Sequence, residues 1–160
     1  MSLSGHQSAR STTYEWLTPR WILDKLGKFD LDPCSPIVRP WPTATMHYTI
    51  NDDGLAQPWW GRVWLNPPFG REASAWLHKM ADHQNGIALI PARTETAMFY
   101  RSVWGRNCGV LFIRTRPHFC TPLGDEAAFS SGAPICLVAY SDYDREILKA
   151  SGLGAVVAEI

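Results

Sequence analysis

With 160 residues, 46% of them hydrophobic, the chain has material for one domain with a substantial core, and nothing suggests a second. Its formal net charge is zero and its pI about 6.9, which excludes a polycation that holds nucleic acid by bulk attraction; any such binding must be local. Cys34, Cys108, Cys120 and Cys136 lie apart with no CxxC pair, which argues against a zinc site and a disulfide framework and for reduced thiols.

No apolar run approaches the roughly 20 residues of a membrane span. Residues 1–11 are serine-rich without the apolar stretch of a signal peptide, so the reading is a soluble cytoplasmic protein, with residues 1–13 a flexible start. Eight tryptophans are several times ordinary usage. Trp21, Trp76 and Trp104 fall on helix faces and read as core, while Trp16 and the Trp59-Trp60 pair are candidates for a cleft.

In chain order, residues 18–27 carry Thr18 as a cap and Pro19 at the first helical position. Apolar residues follow at 22, 23 and 26 with Gly27 at the end, which predicts a short helix. Residues 29–32 read as a first strand ended by Pro33 and the Cys34-Ser35-Pro36 turn. Residues 33–45 are proline-rich and irregular, 46–50 form a second strand, and Asn51-Asp52-Asp53-Gly54 is a turn. Residues 62–65 form a third strand. Ala73, Trp76, Leu77, Met80 and Ala81 then follow helical spacing within 71–84, closed by Asn85-Gly86. A strand over 87–90, a helix over about 95–104, strands over 110–113 and 135–140, and a helix over 143–151 capped by Asp142 complete the pattern. Continuous apolar strands alternating with amphipathic helices predict an α/β fold with a mostly parallel sheet covered on both faces.

Directly after the apolar run Arg62-Val63-Trp64-Leu65 stands Asn66-Pro67-Pro68-Phe69. Each proline has a fixed φ and no N–H, so the segment cannot continue a helix and its carbonyls point in defined directions. The Asn66 side-chain oxygen and the Pro67 carbonyl can both accept from one exocyclic –NH2, while Phe69 stacks on the ring that carries it. A strand before and a helix after put this turn where open α/β sheets hold ligands.

Three short signals thus stand in order: Thr18-Pro19 before a helix, Asp32-Pro33 at one strand end and Asn66-Pro67-Pro68-Phe69 at another. With them, Glu15-Trp16-Leu17-Thr18-Pro19, Phe29-Asp30-Leu31-Asp32-Pro33-Cys34, Asp53-Gly54-Leu55, Trp60-Gly61-Arg62-Val63-Trp64-Leu65-Asn66-Pro67-Pro68-Phe69-Gly70 and Ala92-Arg93-Thr94-Glu95-Thr96 run over residues 15–140. In these phrases the chain resembles the amino-methylating DNA methyltransferases, and more closely the short phage-encoded, Dam-like N6-adenine enzymes. The resemblance implies a Rossmann-like class I fold as a single methyltransferase domain over 1–160, S-adenosylmethionine as cofactor, and no metal. A glycine-rich turn usual after the Asp-Pro strand end is replaced by Cys34-Ser35-Pro36, and the span from Asp32 to Asn66 is too short for every element of the full fold. A reduced version, lacking a helix or a strand, is expected.

The same resemblance implies cofactor contacts from Trp16, Thr18, Pro19, Asp32, Pro33, Cys34, Asp53 and Asn66, with Asp32 near the methionine end and Asp53 near the adenine. It makes Asn66, Pro67, Pro68 and Phe69 catalytic. An adenine N6 amine is a poor nucleophile because its lone pair is conjugated; acceptors on both N–H bonds favour a pyramidal nitrogen and restore the lone pair. A base in a duplex must be flipped out or already unpaired to be reached. His47 and His118 read as structural or surface residues.

Between Arg93 and Gly124, Arg93, Arg101, Arg106, Arg114 and Arg116 face a single acidic residue, Glu95, which suggests phosphate contacts from one edge. Arg71, Arg93, Thr94, Glu95, Arg114 and Arg116 are the DNA-contact candidates. No insertion large enough for a target-recognition domain is present, so recognition falls to loops such as 115–128, to a second subunit in a homodimer, or is nearly absent. Methylation of another conjugated amine (RNA guanine N2 or a protein glutamine) and a non-catalytic nucleic-acid-binding domain are the alternatives.

Overall fold

The structure, a computed structural model, describes residues 15–158; the expected flexible start over 1–13 lies outside them. Pro19, with φ −57°, opens helix α1 (Arg20–Leu23), which continues as turns to Leu26 before Gly27 turns the chain at φ +79°. Ile22, Leu23 and Leu26 face the core. Trp21 lies off that apolar face and is 44% exposed, so the expectation that it is core fails there.

The remaining elements are β1 (Leu31–Asp32), β2 (Met46–His47), β3 (Val63–Leu65), α2 (Ala73–His83), β4 (Gly86–Pro91), α3 (Ala97–Ser102), β5 (Gly109–Ile113), β6 (Ile135–Ala139), α4 (Asp142–Ser151) and β7 (Gly154–Val157). They build one seven-stranded sheet in the order β2-β1-β3-β4-β6-β5-β7. Strands β1 to β4 pair in parallel, whereas β6 is antiparallel to both β4 and β5, and β7 is antiparallel to β5. Five strands therefore share one direction, as a mostly parallel sheet requires, yet half the neighbour pairs are antiparallel. The cause is the connection over 114–134, which returns from β5 to β6 as a hairpin without a crossover helix.

Side chains alternate across the sheet and so sort the core into two layers. Val63, Leu65, Ala88 and Ile90 pack with Leu77, Met80 and Phe99 of α2 and α3, while Trp64, Ile87 and Leu89 pack with Ile22, Leu26, Phe29 and Leu148 on the other face. Trp76 and Trp104 lean half-buried on the first layer. Edge strand β7 carries only an alternating half-buried pattern over four residues, too weak a signal to be read ahead of the structure.

Thr96 caps α3, and Ser141, one residue before the expected Asp142, caps α4 by accepting the Asp144 N–H at 3.1 Å. Between β1 and β2 the described chain contains no helix, which is the reduction the short spacing predicts. Because β1 to β5 run together, Asp32, Asn66, Arg93 and Arg114 all come to the carboxyl edge of the sheet, while Arg62, Gly86 and the start of α4 gather at the opposite edge.

Candidate active site at the carboxyl edge

A shallow cleft, open on one side, is lined by Trp16, Leu17, Thr18, Asp32, Cys34, Pro36, Thr43, Trp64 and Asn66. Five of the sequence-predicted site residues, Trp16, Thr18, Asp32, Cys34 and Asn66, thus meet at one place although they come from three separate segments. Asp32 and Asn66 end strands that neighbour each other, about 4.8 Å apart in strand spacing.

Asp32 closes β1 and is 3% exposed. Its Oδ1 accepts the Cys34 N–H at 3.0 Å, forming an Asx turn, and its Oδ2 accepts the Thr43 hydroxyl. Burial raises its pKa from the ordinary carboxylate value to about 6, against the lowering effect of the two hydrogen bonds and of Arg39. Thr43 is in turn fixed by His47, whose Nε2 accepts the backbone N–H groups of Thr43 and Ala44 at 3.2 and 3.3 Å. His47 can do this only unprotonated, and burial with the nearby Arg39 charge lowers its pKa to about 4. Its structural role agrees with the sequence reading, whereas Thr43 is a site residue that the sequence does not single out.

Thr18 is 1% exposed, and its hydroxyl, at the cleft wall, has no hydrogen-bond partner. Cys34 also borders the cleft, but burial and the Asp32 and Glu72 charges push its thiol up to about 12, so it is not a thiolate nucleophile. Pro19 and Pro33 are buried and do not line the cleft. Asp53 is exposed, with φ +52°, and does not line the cleft. It reaches the neighbourhood through Gly54, where any Cβ would collide with the Pro33 carbonyl, and the Trp59 indole N–H fixes the Gly54 carbonyl at 2.8 Å. Trp59 itself stacks on Trp76 with ring centroids 6.2 Å apart, so this tryptophan fastens the Asp53 turn to α2.

Asn66 follows β3 immediately. Its Nδ2 donates to the Trp16 carbonyl at 3.0 Å, which fixes the sense of the amide and leaves Oδ1 as a free acceptor. The Pro67 carbonyl has no hydrogen-bond partner among the described residues. Pro67 is buried, Pro68 exposed, and the Phe69 ring stands 47% exposed with its neighbour Phe119 at 5.9 Å and 78°, an edge-to-face pair. Phe119 belongs to the β5–β6 hairpin. There Cys120 exchanges two backbone hydrogen bonds with Leu17, at 2.8 and 2.9 Å, and Gly124 packs against Pro40 and Trp41. The hairpin is therefore packed against the Leu17, Pro40-Trp41 and Phe69 segments beside the site, a feature visible only once the strand order is known.

The arginine-rich segment does not form one edge. Arg93, Arg114 and Arg116 are exposed at the carboxyl edge, with Glu95 exposed beside Arg93, the Thr94 carbonyl held by Trp104, and Arg71 exposed just beyond Phe69. Arg106 precedes β5 and so lies at the other end, paired with Asp82 at 2.5 Å; Arg101 ends α3, which runs away from the cleft. The expected five-arginine edge is corrected to Arg93, Arg114 and Arg116, because a β-strand separates Arg106 from Arg114 and carries them to opposite sides of the sheet. Among the described residues no cluster of His, Cys, Asp and Glu has the makings of a metal site, the four cysteines are free, and no helix is long and apolar enough to cross a membrane.

An α/β sheet with a cleft at the ends of adjacent parallel strands, holding an oriented amide and an exposed aromatic ring, has the architecture of a Rossmann-like methyltransferase. The family model described as DNA N-6-adenine-methyltransferase (Dam) matches residues 6–151, and the chain belongs to that family. Comparison with curated proteins and with solved structures gives no match.

Proposed function

We propose that the chain is a short, phage-type enzyme of the host cytoplasm that transfers a methyl group from S-adenosylmethionine to the N6 amine of adenine in DNA. The observation that carries this reading is the Asn66 amide, held by the Trp16 carbonyl with its oxygen free, beside an unpartnered Pro67 carbonyl and an exposed Phe69. Two acceptors take the two N–H bonds of the target amine, and Phe69 supports the ring that bears it.

The polar groups of the cleft suit the cofactor. Its buried Thr18 hydroxyl lacks a partner, and its Asp32 carboxylate keeps lone pairs beyond the two hydrogen bonds it accepts, suited to an ammonium or a ribose hydroxyl. When bound there, S-adenosylmethionine supplies a methyl group on a sulfonium. Trp16 and Cys34 shape the wall, the buried Pro19 and Pro33 fix the backbone of the segments that carry Thr18 and Asp32, and Asp53 takes the outer end. The chain's own work is to aim the amine, pyramidalise it through Asn66 and Pro67, and hold the base out of its stack. Methyl transfer from tritiated S-adenosylmethionine to DNA, RNA and protein, with the product base identified by mass spectrometry, tests this. Label confined to RNA or protein would move the activity to another conjugated amine, and no transfer would leave a binding domain.

Asp32→Asn is expected to weaken S-adenosylmethionine binding at pH 8 by at least about tenfold, as loss of a charge-assisted hydrogen bond implies. The same substitution should stabilise the fold. With a folded pKa of about 6 against an ordinary 3.8, the native state binds the proton more tightly, so wild-type stability falls as pH rises through 4 to 6 and the deficit is complete above 6. Denaturation at pH 8 should show the Asn variant more stable by about 3 kcal/mol, converging with wild type below pH 4. Unchanged cofactor affinity by calorimetry would move the cofactor away from this strand end.

Arg114→Ala with Arg116→Ala is expected to weaken DNA binding alike on all sequences. The slope of log affinity against log salt should become shallower by about one for each phosphate that the double variant no longer neutralises. A slope equal to wild type would place the DNA elsewhere.

A further inference from the structure

The two groups assigned to the target base, Asn66 and Phe69, do not hold themselves. Asn66 is oriented by the Trp16 carbonyl, and the segment that carries Trp16 is tied at Leu17 to Cys120 by a reciprocal pair of backbone hydrogen bonds. Phe69, nearly half exposed, has its ring set edge-to-face by Phe119, which is itself 7% exposed and packed into the second core layer. Phe119 and Cys120 are adjacent in the β5–β6 hairpin, whose stem carries Arg114 and Arg116. A second pair of hydrogen bonds stiffens the hairpin: the Ala127 N–H donates to the Phe119 carbonyl, and the Ser131 N–H to the Pro117 carbonyl, both at 2.8 Å.

We propose that Phe119-Cys120 is a positioning element that sets the acceptor amide of Asn66 and the stacking ring of Phe69 in one geometry: the Cys120 backbone acts on the amide through Leu17 and Trp16, and the Phe119 side chain is the positioning group for the Phe69 ring. Resting on the function proposed above, this adds residues outside the Asn66–Phe69 turn to the machinery, acting through it without touching the amine. It also joins the arm that meets the DNA backbone to the groups that meet the base: a shift of the hairpin moves both at once. A lone aromatic ring at a loop tip samples several rotamers, and an edge-to-face neighbour removes that freedom.

The test uses the full chain with Phe119→Leu, Phe119→Ala and Phe119→Tyr. Leu keeps an apolar side chain and the fold but loses the aromatic edge; Tyr keeps the edge. For Leu, kcat on DNA should fall about 10- to 100-fold, the scale of a small misplacement of reacting groups. KM for DNA and affinity for S-adenosylmethionine should stay within about threefold, since Phe119 meets neither. Tyr should restore most of kcat. Duplexes bearing 2-aminopurine at the methylated position should show weaker quenching with Leu than with wild type, because the flipped base is less stacked. If Ala fails to fold, Leu still decides. A Leu variant with wild-type kcat and quenching, or a Tyr variant no better than Leu, overturns the proposal. Wild-type protein that transfers no methyl group to DNA overturns the functional reading itself and this proposal with it.

Discussion

Asn66→Ala should lower methyl transfer to DNA by about 10²- to 10³-fold, the usual cost of removing one oriented polar group that acts on the reacting centre. The amide does two things in the structure. One N–H of its Nδ2 is spent on the Trp16 carbonyl, which orients the amide and leaves Oδ1 as its acceptor. Alanine removes that acceptor and frees the Trp16 carbonyl, while the strand that carries it, with Val63, Trp64 and Leu65 all buried, is untouched. Stability should therefore fall by no more than about 1 kcal/mol, the net value of one hydrogen bond. Affinity for S-adenosylmethionine, measured by calorimetry, should change little, since Thr18 and Asp32 remain. Asn66→Asp is the sharper control, because it keeps an acceptor but loses the donor that fixes the side chain and sets a charge facing the Trp16 carbonyl. It should be nearly as inactive as alanine. Equal loss of cofactor affinity and turnover would make Asn66 a cofactor-binding or structural group and return the catalytic role to other groups.

How much of this is legible in the sequence depends on what each residue does. Asn66, Asp32, Thr18 and Trp16 can be found because each stands beside a backbone punctuation that the sequence displays: a proline pair, an Asp-Pro strand end, a Thr-Pro helix start. The buried strands and α2 follow from continuous apolar runs and 3.6 periodicity. Thr43 and His47 cannot be found, since their task is to satisfy one carboxylate across a proline-rich loop with no periodic pattern. Phe119 and Cys120 are hidden for a different reason. Their pairings with Phe69 and Leu17 exist only because β6 inserts between β4 and β5, and strand order is not written in local sequence. The arginine count misleads for the same reason: residues close in sequence can be separated by the length of a strand. Asp53 is singled out only by the resemblance: its side chain stands exposed outside the cleft, and its turn meets the Asp32-Pro33 strand end through Gly54 and Pro33.

Arg62 stands within a run that carries the resemblance, four residues before Asn66, and its work is at the far end of the sheet. Its Nε donates to Asp144 at 2.6 Å, its Nη1 to the Lys28 carbonyl at 2.8 Å, and its guanidinium lies 4.1 Å from the Phe29 ring centroid. Asp144, 0% exposed, also accepts the Gly86 N–H at 2.8 Å and the Ser141 hydroxyl at 2.5 Å. One ion pair thus joins the starts of β1, β3, β4 and α4. Arg62→Ala leaves a buried carboxylate without its cation, and unfolding free energy should drop by about 3–5 kcal/mol. Arg62→Lys should recover only part of this, because an ammonium cannot serve Asp144 and the Lys28 carbonyl in the same fork and stacks poorly on Phe29. Turnover per folded molecule should stay near wild type in both, as the pair lies at the edge opposite the cleft. Denaturant titration of the three proteins checks the first two statements and kcat at low temperature the third. A loss below about 1 kcal/mol for the alanine variant would be that of an exposed pair and would mean that Asp144 finds water or another partner.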